Sequence, residues 1–435
     1  MTEDKIIRQT ASVCPICLTR IPAAHILRDG GIYLEKTCPD HGAFSAIVWR
    51  NLRDIDQWRG HVPEMGADEN IACPHACGLC AAHQNGTCCV LLEVTDRCNL
   101  QCVHCFADPK DKPDRNLEDI LADLRGLAVQ GETLVQLSGG EPTMRDDLPA
   151  IVAAAKKAGC QYVQLNTNGI RLAEDFAYVK ALAEAGLSFV FMQFDSLRDE
   201  THMRLRGRAL AKLKEQAIDN CAAHNIGVTL VPTLVPGVNT DQIGEILAFA
   251  VRQSPAVRGV HFQPVSHMGR VGAPPTDDRR FTLDQLLHAI DTQAAGLVDS
   301  SVFTPSCCDH PLCGFHGDFM VLPDHTLLPL NAGEQPPVQQ PNDDASAADK
   351  NRAFVARRWL RGRQEAEAEG WDGASMDMDW FVSRVRSHGF TLTSMAFQDA
   401  GNLDIERLRQ CSLHVYKDGA LKPFCAHYLT PWGQE

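Results

Sequence analysis

Between residues 89 and 265, short apolar runs alternate with longer stretches whose apolar residues recur every three or four positions. The runs 89–94, 133–137, 161–165, 188–194, 227–231 and 260–263 have the length and composition of buried strands. The segments 116–129, 172–185, 210–223 and 240–252 carry a helical period. In the first, Leu117, Ile120, Leu121, Leu124, Leu127 and Ala128 share one face, and Asn116 stands at the N-cap position. The alternation predicts parallel strands joined by right-handed crossovers, six βα-type units where a full barrel has eight. Polar or Gly-rich residues end the strands at 139–141, 166–168, 195–196, 236–239 and 263–267. Active sites of βα barrels are built at that end.

Both flanks depart from this pattern. Beyond about residue 300 the alternation gives way to a hairpin expected over 319–330 around Asp324-His325. A flexible insertion rich in Pro, Gln, Asp and Ala is expected over 331–350, then helices over 352–369 and 378–388. The reading divides the chain into 1–65, a mononuclear metal module; 66–90, an auxiliary cluster segment; 91–300, the barrel; and 301–435, an auxiliary cluster domain.

Composition narrows the chemistry. The 435 residues carry a formal net charge of −14, which argues against a general nucleic-acid or lipid-surface binder. No apolar run approaches a membrane span, and the polar N-terminus is no signal peptide, so a cytoplasmic protein is expected. There, 18 cysteines in clustered spacings mean metal rather than disulfides.

The clusters differ. Cys14-Pro-Ile-Cys17 is a knuckle, followed by Cys38-Pro-Asp-His41. Cys14, Cys17, Cys38 and His41 can close a tetrahedral structural site. Three sulfurs and an imidazole favour zinc, with rubredoxin-like iron the alternative. A water or a distant cysteine is the other choice of fourth ligand. Cys73, Cys77 and Cys80 have C-x3-C-x2-C spacing and are followed by Cys88-Cys89. With one of that pair, Cys88 being favoured, they can close a cubane. Cys98, Cys102 and Cys105 repeat the spacing directly after the first strand. Three thiolates leave one iron of a cubane open, as catalytic metal sites keep an open position. The second strand runs into Gly139-Gly140-Glu141-Pro142, where glycines admit close backbone approach. There the carbonyls and Glu141 can receive an ammonium. Cys308, Cys313, Cys411 and Cys425 are weaker as a set on spacing alone. Cys160 and Cys221 read as small buried hydrophobes.

The triplet after one strand and Gly-Gly-Glu-Pro after the next resemble the signature of the radical S-adenosylmethionine (SAM) superfamily. The order of modules extends the resemblance over nearly the full length. It runs from Cys-Pro-x-Cys and Lys36-Thr-Cys-Pro-Asp-His-Gly42 through Phe262-Gln-Pro-Val-Ser-His-Met-Gly-Arg270 to Pro305-Ser-Cys-Cys-Asp-His-Pro-Leu-Cys313 and Pro423-Phe-Cys425. It is similar to the branch that includes tetraether lipid synthase and methanopterin-ring methylases, and to bacterial radical SAM (seleno)proteins of the TrsS type.

The resemblance implies a partial (β/α)6 barrel with an N-terminal rubredoxin- or zinc-ribbon-like module and a C-terminal auxiliary iron–sulfur domain. It implies a SAM-binding 4Fe-4S cluster on the catalytic Cys98, Cys102 and Cys105. It implies auxiliary 4Fe-4S clusters at Cys73, Cys77, Cys80 and Cys88 and at Cys308, Cys313, Cys411 and Cys425, plus one mononuclear Zn or Fe. Gly139, Gly140, Glu141, Asn168, Asp195 and Gln263 are the candidate SAM contacts. Cys89 and Cys307 exceed the pattern. The implied activity is reductive cleavage of SAM to a 5′-deoxyadenosyl radical that abstracts hydrogen from a small-molecule, lipid or peptide substrate, for C-methylation or C–C bond formation. A low-potential donor such as ferredoxin or flavodoxin and an anaerobic host follow by the same analogy. The competing reading is a multi-cluster electron carrier or redox sensor, which would have no need of an open iron or Gly-Gly-Glu-Pro.

Overall fold

The structure is a computed structural model that describes residues 4–60, 73–75, 79–107, 112–129, 134–270, 274–306, 308–330, 358–361 and 378–433. Cys77, Cys307, the insertion 331–350 and most of the helix expected over 352–369 lie outside the described residues.

Four strands open the chain: β1 (Lys5–Val13), β2 (Arg20–Arg28), β3 (Gly31–Cys38) and β4 (Gly42–Trp49), in one antiparallel sheet in chain order. The two knuckles are its tight turns. Cys14 and Cys17 sit between β1 and β2, while Cys38 ends β3 and His41 lies in the turn before β4.

The six expected strands form as β5 (Cys89–Thr95), β6 (Leu134–Gly139), β7 (Tyr162–Thr167), β8 (Phe189–Gln193), β9 (Gly227–Val231) and, after a two-residue β10 (Thr233–Leu234), β11 (Val257–Pro264). All six pair in parallel in the order β5-β6-β7-β8-β9-β11. Crossover helices cover the outside and bury Leu124, Leu148, Ile151, Val179 and Ile246 against the sheet. Asn116 caps Leu117–Val129 as expected, accepting from the Glu118 N–H at 3.1 Å. The helix expected over 172–185 is two, Ile170–Glu174 and Phe176–Glu184. Asp175 breaks the run and caps the second helix by accepting from the Tyr178 N–H at 2.9 Å.

Residues beyond 300 share the barrel's sheet. The strands β12 (Thr304–Pro305), β13 (Phe315–Val321), β14 (Leu327–Pro329) and β15 (Gly389–Ser394) extend the edge beyond β11, with β15 parallel to it. The pair β13–β14 is the expected hairpin. At the opposite edge β16 (Leu413–Lys417) lies parallel to β5 and carries β17 (Ala420–Pro423). The C-terminal segment thus brackets the barrel from both sides. Its two arms meet where Asp309 accepts from the Ser412 N–H at 2.7 Å and Asn85 donates to the carbonyls of Cys308 and Gln410 at 2.9 and 2.7 Å.

Trp359 covers the N-terminal end of the strands. It packs on Phe189 and Phe191 and donates to Thr391 Oγ1 at 2.9 Å. The ribbon sheet docks on the turn and helix at 399–409. Thr10 donates to Asp404, Ser12 to the Leu403 carbonyl and Lys36 to the Ala400 carbonyl, and Arg8 pairs with Glu406. Among the described residues no helix is long and apolar enough to cross a membrane.

Candidate active site and metal centres

The loop carrying Cys98, Cys102 and Cys105 leaves the C-terminal end of β5 and is gripped from two sides. From one side comes the Gly139-Gly140-Glu141 turn, whose Gly140 and Glu141 N–H groups donate to the carbonyls of Thr95 and Arg97 at 2.8 Å each. A Cβ on Gly139 would stand 2.2 Å from the Thr95 oxygen, and one on Gly140 2.1 Å from the Arg97 oxygen. Both glycines are therefore required by close approach. From the other side comes Gly269-Arg270. Arg270 donates from its backbone to the Cys105 carbonyl at 3.0 Å and from Nη1 to the Cys102 carbonyl at 2.9 Å. Gly269 has φ +66°, and a Cβ there would meet the Cys105 and Phe106 carbonyl oxygens at 2.4 Å.

Two of the candidate SAM contacts have protein partners of their own. Glu141 is 2% exposed and accepts from Thr143 N, Thr143 Oγ1, Thr167 Oγ1 and Asn168 N at 2.6–3.1 Å. Three of these bonds end on Oε1 and one on Oε2, so Glu141 clamps the ends of β6 and β7 together while lining the cavity. Asp195 is fully buried and grips Arg206 bidentately at 2.8 Å through both oxygens. That charge holds the Asp195 carboxyl below its usual range against the cost of burial. Asp195 acts through Arg206, which lines the cavity and faces Cys102. Neither Arg206 nor Lys214, which donates to the Asn168 carbonyl, was legible from sequence. A buried arginine looks like any other in a polar helix, and only Gly207, the left-handed helix stop after it, marks the place.

A cavity of about 340 Å3 runs from the cysteine loop into the barrel, within the range of small-molecule sites. Cys98, Cys102, Cys105, Gly139, Gly140, Asn168 and Gln263 line its mouth, and Phe191, Val231 and Trp359 its floor. Between them stand Gln136, Asn166, Gln193, His261 and Thr391. The charged and titratable lining residues have identifiable surroundings. Glu141 is clamped, Arg206 is paired, and burial pushes Asp309 up to about 8 and His104 and His261 down to about 4. Cys88 and Cys308, assigned from sequence to different auxiliary clusters, pack against one another on the wall of this cavity.

The cysteine sets separate by geometry. Cys14, Cys17, Cys38 and His41 bring their ligand atoms within 4.8 Å of one another, alone among the described residues. The Cys17–Cys38 sulfurs are 4.0 Å apart, and His41 Nδ1 lies 3.6 and 3.4 Å from Cys14 and Cys38. Tetrahedral Zn–S bonds of 2.3 Å place two sulfurs about 3.8 Å apart, so this set fits a single ion. Cys98, Cys102 and Cys105 affect one another's charge without closing to that distance, as do Cys313, Cys411 and Cys425. That spread suits a multi-iron cluster. Burial pushes Cys98 and Cys425 up to about 12 and raises Cys313 and Cys411, so these thiols need a bound cation to ionise.

Comparison with known proteins agrees with this architecture. A model of the radical SAM superfamily matches residues 92–250, and one of the HMPTM N-terminal zinc ribbon domain matches residues 6–50. The 7,8-dihydro-6-hydroxymethylpterin dimethyltransferase of Methanocaldococcus jannaschii is 31% identical over 471 residues, covering 97% of this chain and 93% of that protein. The Fe-coproporphyrin III synthase of Methanosarcina barkeri is 32% identical over 207 residues, about half of each chain. Among solved structures, SuiB of Streptococcus suis superposes with a TM-score of 0.41 at 16% identity, over 48% of this chain and 46% of that one. The chain belongs to the radical SAM superfamily. Such an enzyme uses SAM and a 4Fe-4S cluster, which the open-ended set at the cavity mouth fits.

Proposed function

We propose that this chain is a radical SAM methylase whose substrate is a compact, uncharged, planar heterocycle of the pterin kind. One observation carries the reading: the cavity below the cysteine loop is walled by aromatic and aliphatic faces interleaved with amides, and its one arginine is paired with Asp195. A flat ring with apolar faces and a hydrogen-bonding edge matches that lining. Trp359 presents its ring to the floor of the cavity among the described residues. The pterin methyltransferase relative, similar along nearly its whole length, supports both the substrate class and the reaction.

In this reading Cys98, Cys102 and Cys105 hold the SAM cluster. When bound and reduced by one electron, that cluster would supply cleavage of one SAM to methionine and a 5′-deoxyadenosyl radical that takes hydrogen from the substrate, and a second SAM with one further electron would supply the methyl group and leave S-adenosylhomocysteine. The Gly139-Gly140 carbonyls, Asn168 and Gln263 orient SAM, while Gln136, Asn166 and Gln193 read the substrate edge. Cys73, Cys77, Cys80 and Cys88 hold one auxiliary cluster and Cys308, Cys313, Cys411 and Cys425 another, adjoining at the Cys88–Cys308 contact. Cys14, Cys17, Cys38 and His41 hold zinc.

The test is anaerobic turnover with SAM and dithionite over a panel of reduced pterins, pterin phosphates, lipids and peptides. A methylated neutral pterin, with phosphorylated analogues turned over poorly, is the expected result. Turnover confined to lipids or peptides would overturn the substrate class.

A further inference from the structure

His261 lies two residues before Gln263 on β11, and both line the cavity. Their side chains share one face of the strand, so His261 stands roughly 7 Å deeper than that candidate SAM contact, towards Trp359. Its register partner on β15 is Thr393, whose Oγ1 is 2.8 Å from His261 Nδ1. That bond orients the ring. The other polar atom, Nε2, has no partner among the described residues and is not sealed off, so it is open to the cavity that the ring lines. The same strand holds the floor: Thr391, two residues before Thr393, accepts from Trp359 Nε1 at 2.9 Å. Phe191 stands beside both rings, its centroid 5.5 Å from that of His261 and 4.5 Å from that of Trp359. No charged group acts on the imidazole, and burial keeps it neutral. A neutral imidazole has one donor and one acceptor, and Thr393 engages only the one at Nδ1. A polar atom left unpaired in an apolar corner is unfavourable. The protein supplies no partner for Nε2 among the described residues, and a ligand in the cavity would.

We propose that His261 is a specificity-determining residue whose Nε2 hydrogen-bonds a polar ring atom of the substrate, and that Thr393 is its positioning residue. The inference rests on the pterin methylase reading and deepens it by naming the group that reads the ring below SAM. The Thr393 hydroxyl sets the polarity of the contact. Where it donates to Nδ1, Nε2 carries the proton and donates to the substrate; where it accepts, Nε2 accepts. Both forms match an uncharged heterocycle. A carboxylate or phosphate would draw a second proton onto the ring, which its burial opposes. Phe191 gives the same substrate an aromatic face to lie against. Thr393 belongs to the strand that the C-terminal segment adds to the barrel's edge, so recognition depends on that addition and not on the six βα units alone.

The test is anaerobic equilibrium dialysis of 7,8-dihydro-6-hydroxymethylpterin against the reconstituted full chain with SAM and no reductant. His261→Leu should bind the pterin about tenfold more weakly than wild type, the upper range for one neutral hydrogen bond. His261→Gln places an amide nitrogen where Nε2 stood and should stay within about threefold of wild type. Thr393→Val removes only the bond that orients the ring and should fall between the two. Analogues separate recognition from packing: 5-deaza, 8-deaza, 2-desamino and 4-deoxo pterins each lack one polar atom or group. At least one should bind wild type more weakly than the parent pterin yet bind His261→Leu as well as the parent does, which identifies the atom that Nε2 reads. Equal affinity of wild type and His261→Leu for the parent pterin overturns the inference. So do analogue penalties that persist unchanged in His261→Leu, because a merely structural histidine would leave them in place. Absence of pterin binding by wild type itself would overturn the substrate reading and this inference with it, an outcome distinct from binding that ignores His261.

Discussion

Gly269→Ala tests whether the Gly269-Arg270 turn grips the cysteine loop. The glycine is distant in sequence from both superfamily motifs, yet its backbone lies against the loop. Left-handed backbone at a residue with a Cβ costs about 1–2 kcal/mol. The added carbon would sit 2.4 Å from the Cys105 and Phe106 oxygens, and carbon–oxygen contacts close to about 3.3 Å. The turn and the cysteine loop must therefore part by roughly 0.9 Å, judged against that contact distance. The Arg270 N–H bond to Cys105 and the Nη1 bond to Cys102 stretch or break, at about 0.5–1.5 kcal/mol each. A displacement near 1 Å at reacting groups can cost about a hundredfold in rate. The assay is 5′-deoxyadenosine formation per SAM-cluster iron, with dithionite as reductant. The control is Gly296→Ala, which has φ +84° and nothing within 4 Å of its Cβ. It carries the backbone strain without the collision and should keep the wild-type rate. Wild-type cleavage by Gly269→Ala, or equal loss in both variants, would refute the grip.

Acid should weaken the fold through its buried imidazoles. Burial holds His261 down to about 4, against 6.5 when free, so between those values the unfolded chain binds the extra proton and stability falls as pH drops. The residue accounts for up to about 3 kcal/mol, and His261→Gln should flatten urea-derived stability over that window; an unaltered slope counts against a neutral imidazole there. Arg206→Met strands Asp195 and should cost about 3–5 kcal/mol in denaturant unfolding. Adding Asp195→Leu should restore most of that loss, and no recovery would show that the pair is not the unit described. Metal analysis should find about twelve irons and one zinc per chain. His41→Ala should lose the zinc and keep the iron, and zinc retention would remove His41 from the ligand set.

The barrel was legible because its strands are buried on both faces and its helices are amphipathic, so each announces its period. The knuckles and the cysteine triplet were legible because ligands on one tight loop must be close in sequence. Distance in space erased the rest. Cys88 and Cys308 meet only because residues beyond 300 add strands to both edges of the sheet, a pairing that no local pattern records. Asp195 and Glu141 looked like contacts because they end strands, where barrel sites are built. Thr167 and Asn168 come from the next βα unit and Arg206 from the far end of the helix after Asp195, and only the folded chain shows that those carboxylates are engaged.

The central claim is that Cys98, Cys102 and Cys105 hold a cluster with an open iron that cleaves SAM. The most direct measurement is anaerobic reconstitution with iron and sulfide, addition of SAM and dithionite, and quantification of 5′-deoxyadenosine. Wild type should form it, and Cys98→Ala, Cys102→Ala and Cys105→Ala should each abolish it. Its absence from fully reconstituted wild type, or its persistence in a variant lacking all three cysteines, would contradict the account.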